Sequence, residues 1–462
     1  MSYTMFPIVA LLMSLPAAAP VKAAAPETAP AQTAAAAPAY AVVVSRATHQ
    51  QADWKPVVEA LVQRHHAKVI EFDKEVRETL DALKQAFPRY TCFVAQPAEA
   101  SREFVAAVSD LARKLDDDPY TDTLWGILTG YTAQNALAIA RHEEPLVVHR
   151  VSGGTQFAMD CCEQGIWYDE LVKNKVVYKK PGGEPNELRG PDDTTEAMAK
   201  ALNEYRPDLF ITSGHATERD WQLGFRYRNG QFRCAEGRLF GLDTGGKRHP
   251  IDSPNPKVYL PVGNCLMGHI DRPDCMALAW MNSAGVKQMI GYTVSTWFGY
   301  AGWGCLNYFV EQPGRYTFTE AFFANQQALI HSLESDAGDA ATRKGLKFDS
   351  TVVAFYGDPA WQARMAAGKL AFEQSLSAAD GRWTFEVKPK DANSFGPIDT
   401  NGSQRQPRPF LAFFDRRLKD VEVVEGADLK PVITDDFILV ERPPACDPSK
   451  TYRVVFRARP IQ

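Results

Sequence analysis

Clusters of basic residues are missing from this sequence. Their absence argues against the class of proteins that bind nucleic acid or an anionic membrane surface through positive charge. Lysine and arginine together number 51 against 56 aspartates and glutamates, which leaves a formal net charge of -5 at pH 7. Proteins that neutralise phosphate groups carry concentrated positive charge instead. We therefore expect no nucleic-acid partner.

Cysteine is sparse as well, with 8 residues in a chain of 462 and no CxxC pair among them. Disulfide-stapled domains and zinc ribbons need denser or more regular cysteine spacing. The fold must therefore depend on a hydrophobic core, for which an apolar content of 45% is sufficient in a chain of this length. No disulfide pairing is assigned.

Hydrophobic runs of membrane-spanning length are also lacking, since the apolar run near the amino terminus covers only residues 6–15. Small residues follow that run up to Ala23. This pattern predicts a signal peptide over residues 1–23, a secreted or periplasmic location, and no membrane span in the mature chain. Residues 24–39 are mostly Ala and Pro and are predicted to be a linker without a core.

Strand-like apolar runs and helical apolar spacing alternate along most of the remaining chain. This alternation predicts two α/β subdomains, over residues 40–150 and 151–370, with a mostly parallel sheet covered by helices on both faces. Over residues 380–462, short strand-like runs separated by Pro, Gly, Asp and Asn predict a small β-sandwich. The dipeptide Asn229-Gly230 is predicted to form a tight hairpin turn.

A histidine and a cysteine, which could act as general base and nucleophile, each follow a predicted strand. His215 comes after the apolar run 208–212, and Cys265 comes after the apolar run 257–262. In doubly wound sheets, functional residues gather at the carboxyl ends of strands. A cysteine thiol becomes a better nucleophile when an imidazole accepts its proton, so the two residues form a plausible catalytic pair.

Each of the two residues also has a plainer interpretation when it is taken alone. A cysteine after an apolar strand is commonly a small core residue, and a histidine in a loop commonly serves a local hydrogen bond. Glycines surround both positions, with Gly214 before the histidine and Gly263 and Gly268 around the cysteine. They would allow tight turns that bring backbone amides close to a substrate carbonyl, and this favours the catalytic interpretation.

Five short segments resemble, in order, the motifs of the gingipain-type cysteine peptidases, which belong with the caspases and legumains. The segments are Asp118-Pro119-Tyr120-Thr121-Asp122 with Gly126, His215-Ala216-Thr217-Glu218-Arg219-Asp220-Trp221, Val262-Gly263-Asn264-Cys265-Leu266-Met267-Gly268, Ile290-Gly291 through Trp297-Phe298-Gly299, and Tyr356-Gly357-Asp358-Pro359. About 50 residues separate the histidine from the cysteine, as in caspases. The resemblance covers residues 40–370, and the family's immunoglobulin-like domain matches the trailing β-segment.

The resemblance implies a caspase-like fold and a secreted cysteine endopeptidase. In such an enzyme Cys265 attacks the peptide carbonyl, His215 transfers the proton, and the amides of Cys265 and Ala216 stabilise the oxyanion. The family usually has Gly after the catalytic histidine, where this chain has Ala216. If that position required a positive φ, the alanine would misdirect the donor.

The resemblance also implies a specificity pocket. Thr296, Trp297 and Phe298 would form its wall, and Asp118 would either bind a Lys or Arg side chain at its base or orient His215. Glu218 is a second residue that could orient His215. For both acids a solvated surface position explains the sequence equally well.

Protein or peptide substrates are the partners that the resemblance implies, and no cofactor is needed, although calcium is compatible with the family. Zinc bound by His269 and Asp271 together with the catalytic pair is disfavoured, because the spacing matches no known zinc site. Two other functions remain open at this point. One is an inactive gingipain-like domain that binds a surface or periplasmic partner, and the other is a sortase-like transpeptidase.

Overall fold

The computed structural model of the protein describes residues 40–335, 338–396 and 404–461. The predicted signal peptide and linker lie outside the described residues. No helix of the described residues is long and apolar enough to cross a membrane.

The first α/β segment contains four strands and five α-helices, and three of its strands are buried, whereas β2 is partly exposed. Ser45, Ser101 and Thr132 cap three of the helices with side-chain oxygens. In chain order the elements are β1 (Tyr40–Ser45), α1 (Arg46–His49), α2 (Lys55–His65), β2 (Lys68–Phe72), α3 (Leu80–Ala86), β3 (Tyr90–Val94), α4 (Arg102–Leu111), β4 (Leu124–Leu128) and α5 (Ala133–Ala140).

The second segment continues the alternation and adds short antiparallel strands. Its elements are β5 (Leu146–Val148), β6 (Arg150–Gly153), β7 (Gln164–Tyr168), β8 (Lys175–Lys179), β9 (Asn186–Arg189), α6 (Thr195–Lys200), β10 (Leu209–Thr212), β11 (Asp220–Gln222), β12 (Gln231–Ala235), β13 (Arg238–Leu242), β14 (Arg248–Pro250), β15 (Lys257–Pro261), α7 (Met276–Ser283), β16 (Val286–Tyr292), α8 (Tyr300–Phe309), α9 (Phe318–Glu334), α10 (Ala340–Asp349), β17 (Val353–Tyr356) and β18 (Ala363–Met365).

A single large sheet runs through both segments. Its 12 strands lie in the order β2-β1-β3-β4-β17-β16-β15-β10-β6-β7-β8-β9. Most neighbours are parallel, but β17 is antiparallel to β16, and the hairpin strands β8 and β9 are antiparallel as well. The large, mostly parallel sheet of an α/β protein is thus confirmed, and the two predicted subdomains share it through the pairing of β4 with β17.

The last part of the chain is all-β, as predicted, and consists of two antiparallel sheets of four and three strands. Their strands are β19 (Phe372–Ala379), β20 (Arg382–Pro389), β21 (Phe410–Phe413), β22 (Leu418–Glu425), β23 (Val432–Ile433), β24 (Phe437–Val440) and β25 (Tyr452–Pro460). This region has its own hydrophobic core, which includes Trp383, Phe385 and Phe456. The immunoglobulin-like assignment stays a prediction.

The hairpin predicted around Asn229-Gly230 is present, since β11 and β12 are antiparallel neighbours, but the predicted tight turn at this dipeptide is wrong. Neither residue has a positive φ, and the dipeptide lies in the longer loop between β11 and β12. The Asn229 side chain instead accepts a hydrogen bond from the Thr194 amide at 3.0 Å. The two-residue turn of this sheet is Glu236-Gly237, between β12 and β13, where both residues are left-handed with φ of 52° and 68°.

The Gly-Asp-Pro motif at residues 357–359 has a structural role in the fold. Asp358 is buried, and its carboxylate accepts hydrogen bonds from the Tyr40 hydroxyl and from His65 Nε2, both at 2.8 Å. Arg64 Nη1 lies 3.4 Å from the same carboxylate. Burial alone would raise the pKa of Asp358, but these partners reverse that effect and lower it below its ordinary value. The motif therefore connects β17 to the first strand and to α2.

We predict that Asp358→Asn lowers the free energy of unfolding by about 3 kcal/mol at neutral pH, because it removes the charge from a buried and partnered site. Urea unfolding would measure the loss. The pKa of Asp358 is lower in the folded state than in the unfolded chain. The stability that its charge contributes is therefore present above the unfolded-state pKa of about 3.9, and it is lost as the pH falls through the folded-state pKa. The exposed pair of Asp420 with Arg459 provides a control, since Asp420→Asn should change stability by less than about 0.5 kcal/mol. Equal effects of the two substitutions would contradict this account.

Candidate active site

His215 and Cys265, the predicted catalytic pair, lie at the carboxyl ends of two adjacent parallel strands. β10 pairs with β15 so that Thr212 faces Pro261, and the Val262 amide donates to the Thr212 carbonyl at 2.9 Å. His215 follows the first strand by three residues, and Cys265 follows the second by four. The two predicted residues therefore emerge from neighbouring positions on one edge of the sheet.

A buried amide joins the two loops that carry the pair. Asn264, directly before the cysteine, donates from Nδ2 to the carbonyl of Gly214, directly before the histidine, at 3.1 Å. Its Oδ1 accepts a hydrogen bond from the Thr212 hydroxyl at 2.6 Å, and that hydroxyl also pairs with the hydroxyl of Tyr259 at 2.9 Å. The Asn264 side chain therefore determines how the backbone before His215 lies against the backbone before Cys265.

Cys265 is half-buried, and its sulfur faces the loop that follows β16. The Thr296 amide donates to Sγ at 3.2 Å, so the thiol lies directly beside the predicted pocket wall. The next residue, Leu266, has a left-handed φ of 55°, which is a costly conformation for a leucine. Its amide donates to the Val294 carbonyl at 3.0 Å, which helps to fix the sharp turn after the cysteine.

His215 is exposed, and its imidazole stacks on the ring of Phe225 with centroids 4.6 Å apart and planes 25° apart. Within the described ranges, the imidazole nitrogens form no hydrogen bond with a carboxylate. The side chain of Glu218 likewise forms no hydrogen bond there, and only its backbone carbonyl is used, by the Met276 amide at 2.8 Å and by Arg219 Nη1 at 3.3 Å. The expected role of Glu218 in orienting the histidine finds no support in these contacts.

Asp118 lies in a different cluster of acids from the catalytic pair. Its carboxylate oxygen comes within 4.8 Å of those of Asp116 and Asp435, and it accepts a hydrogen bond from the Tyr120 amide at 2.8 Å. Burial, with a further contribution from the Asp116 charge, raises the pKa of Asp118 to about 6. Among the residues that the structure describes, its contacts include neither member of the catalytic pair, so both expected roles of Asp118 lack support.

The same three carboxylates are the one group of acidic, histidine or cysteine residues in the described chain whose geometry could hold a metal ion. Their oxygens are of the type that calcium prefers. Arg417 already neutralises part of this charge through its ion pair with Asp435.

Glu170 is a buried acid that the sequence motifs did not identify, and it is linked through Ser213 to the loop that carries His215. It follows β7, and only 3% of its surface is exposed. Its Oε1 accepts hydrogen bonds from the Thr155 hydroxyl at 2.7 Å and the Ser213 hydroxyl at 3.3 Å, while its Oε2 is buried without a partner among the described residues. Burial raises the pKa of Glu170 to about 7, although both hydroxyls oppose the shift.

The predicted pocket wall lies beside the cysteine. Trp297 is 52% exposed, which is unusual for a tryptophan, and its ring packs on Phe298 and Phe348 at centroid distances of 5.6 and 5.4 Å. Phe298 is buried beneath it. An exposed indole close to Cys265 presents an apolar surface to solvent.

Ala216 does not require the conformational freedom of glycine. Its φ is not positive, and the left-handed position of this loop is Gly214, with φ of 91°. Ala216 faces Trp221 in an antiparallel bridge whose hydrogen bonds are made by the neighbouring residues. Its amide, like that of Cys265, donates to no backbone carbonyl in the described chain, so both remain available as oxyanion donors.

Two solved structures similar to this chain are gingipain R structures. One is the complex of Porphyromonas gingivalis RgpB pro- and mature domains, at 10% identity and a TM-score of 0.46, covering 91% of this chain and 93% of that chain. The other is the Arg-specific cysteine proteinase gingipain R, at the same identity and TM-score, covering 88% and 92%. No family model and no curated protein matches the sequence.

We predict that Asn264→Ala lowers the free energy of unfolding by about 2 kcal/mol, because it leaves the Gly214 carbonyl and the Thr212 hydroxyl without their buried partner. Urea unfolding would measure this. Asn282→Ala is the matched control, since its amide also donates to a glycine carbonyl, that of Gly237 at 2.9 Å, but from an exposed side chain. The control should lose less than about 0.5 kcal/mol. A similarly small loss for Asn264→Ala would rule out a structural role for this amide.

Proposed function

We propose that this protein is a cysteine endopeptidase that cleaves peptide bonds after Arg or Lys. The observation that carries the proposal is the placement of Cys265 and His215 at the ends of adjacent parallel strands, with the Asn264 to Gly214 hydrogen bond between their loops. A thiol and an imidazole on neighbouring, tightly joined loops are the minimal apparatus for covalent acyl transfer.

In the proposed reaction, Cys265 Sγ forms a bond to the substrate carbonyl carbon while its proton passes to His215. The carbon–nitrogen bond then breaks, and the leaving amine takes the proton from His215. A water molecule, deprotonated by His215, attacks the thioester, releases the carboxylic acid and restores the thiol. The amides of Cys265 and Ala216 would stabilise the oxyanion, an effect of about 3 kcal/mol per donor.

Glu170 is the acid that we assign to recognition of the basic side chain. Ser213, which donates to its carboxylate, lies two residues before the catalytic histidine. A buried carboxylate oxygen without a partner is costly in a folded protein, and a bound guanidinium or ammonium group would satisfy it. This supports Glu170, in place of Asp118, as the specificity residue.

The proposal includes export of the protein from the cytoplasm. The amino-terminal residues have the apolar core and small-residue end of a signal peptide, so the substrates would be proteins or peptides outside the cytoplasm.

We predict that Cys265→Ala and His215→Ala each lower the hydrolysis of an Arg-containing peptide at least a thousandfold, since each removes one half of the acyl-transfer pair. A fluorogenic peptide assay would measure kcat/KM. Cys446→Ala is the matched control, because this thiol is also partly exposed but lies in the C-terminal β-region, and it should leave the rate unchanged.

Three results would contradict the assignment. Full activity of either variant would exclude the pair, and an inactive wild type with intact fold would favour the binding-domain alternative. A conjugated product formed only when an amine is added would favour the transpeptidase alternative.

We predict that Glu170→Gln raises KM for Arg substrates at least tenfold and leaves KM for a norleucine substrate within about twofold, because it removes the charge that pairs with the guanidinium. The raised pKa gives a direction for pH. Glu170 is ionised above about pH 7, so in the wild type KM for Arg substrates should rise as pH falls through 7. Steady-state kinetics from pH 5.5 to 8.5 would show this dependence, and Glu170→Gln should lack it.

Asp118→Asn is the matched control for the Glu170 substitution. It should leave KM for both substrates unchanged, since its carboxylate belongs to the cluster with Asp116 and Asp435. A rise in KM with Asp118→Asn and none with Glu170→Gln would reverse the assignment of the specificity acid.

A further inference from the structure

The imidazole of His215 needs a contact that fixes its orientation, because a catalytic base must direct one nitrogen toward the nucleophile. A third residue, commonly a carboxylate, serves this purpose in catalytic triads. In the described part of this chain, the ring contact of His215 is the stack on Phe225, and neither Glu218 nor Asp118 forms a hydrogen bond with the imidazole.

Phe225 is itself fixed from two directions. Its amide donates to the backbone carbonyl of Glu170 at 2.7 Å, which anchors it to the loop after β7. On the other side it lies against Gly214, where an added Cβ would come within 3.6 Å of Phe225 Cδ2. The ring is nevertheless 44% exposed, so it adds little to the hydrophobic core. An exposed aromatic ring that is anchored beside a functional imidazole suggests a role other than folding.

We propose that Phe225 is the positioning residue for His215 and takes the place of an orienting carboxylate. The inference rests on the proposed function, because it assigns a role within the same site. The near-parallel stack restricts rotation of the imidazole, while neither ring nitrogen is hydrogen-bonded to any of the residues that the structure describes. An aromatic face also attracts the imidazolium that forms when the thiol proton is transferred. The stack thus supports the histidine in both of its protonation states.

Aromatic and aliphatic substitutions of Phe225 test this proposal. Phe225→Leu keeps an apolar side chain but removes the ring face, and we expect kcat for an Arg peptide to fall about tenfold with KM within about twofold. Phe225→Tyr keeps the ring and should restore kcat to within about twofold of the wild type. Phe240→Leu is the matched control, since Phe240 is also partly exposed but lies on β13 outside the site, and it should leave both parameters unchanged.

A second readout is independent of peptide cleavage. Alkylation of Cys265 by iodoacetamide, followed by mass spectrometry, should be faster in the wild type than in His215→Ala, because the imidazole promotes thiolate formation. Phe225→Leu should lose most of this His215-dependent acceleration, and Phe225→Tyr should retain it. Failure of the peptidase assay together with the expected alkylation pattern would sink the proposed function while leaving the positioning role intact.

Three outcomes would overturn the positioning role. In the first, Phe225→Leu matches the wild type in both kcat and alkylation rate. In the second, KM rises while kcat is unchanged, which would make Phe225 a substrate contact. In the third, Phe225→Tyr is as impaired as Phe225→Leu, which would show that the ring face is irrelevant.

Discussion

One buried side chain, Asn264, determines whether the two loops of the candidate site face each other. Its amide donates to the Gly214 carbonyl and its oxygen accepts from the Thr212 hydroxyl, so it joins the ends of β10 and β15 just before His215 and Cys265. Asn264 and Thr212 are fully buried, whereas Gly214 is half-buried, so the bond with the Thr212 hydroxyl is the costlier of the two to break. The positive φ of Gly214 belongs to the same arrangement, because it turns the chain toward His215 after presenting its carbonyl to the amide.

The sheet topology explains why the three residues of the proposed site lie at one edge of the sheet. β7, β10 and β15 run in the same direction, so their carboxyl ends bring Glu170, His215 and Cys265 to one side of the molecule. β17 pairs antiparallel with β16 on one side and parallel with β4 on the other, so both halves of the chain share a single sheet. The C-terminal β-region is joined to this framework by Arg408, which lies 3.7 Å from the Tyr300 ring centroid and donates to Asn325 Oδ1 at 2.9 Å.

The large, mostly parallel sheet and the positions of His215 and Cys265 at strand ends could be predicted from the sequence. His215 and Cys265 follow continuous apolar strands, and that pattern places them at strand ends without any knowledge of contacts. Glu170 could not be found in this way, because it follows a strand of mixed polarity, β7, and becomes distinctive only through its burial. Asp118 and the Asn229-Gly230 dipeptide misled for a related reason. Each matches a local pattern, but residues distant in sequence surround its side chain: the Asp118 carboxylate lies within 4.8 Å of that of Asp435, and the Asn229 side chain accepts a hydrogen bond from the Thr194 amide.

The central claim is that Cys265 is a nucleophile beside an oxyanion site and a pocket for a basic side chain. A crystal structure of the protein after treatment with an Arg-containing peptidyl acyloxymethyl ketone would test it most directly. The account predicts a thioether on Cys265 Sγ, with the guanidinium at Glu170 and the ketone oxygen facing the amides of Cys265 and Ala216. A correctly folded protein that remains unlabelled under reducing conditions, or a guanidinium bound elsewhere than Glu170, would contradict it.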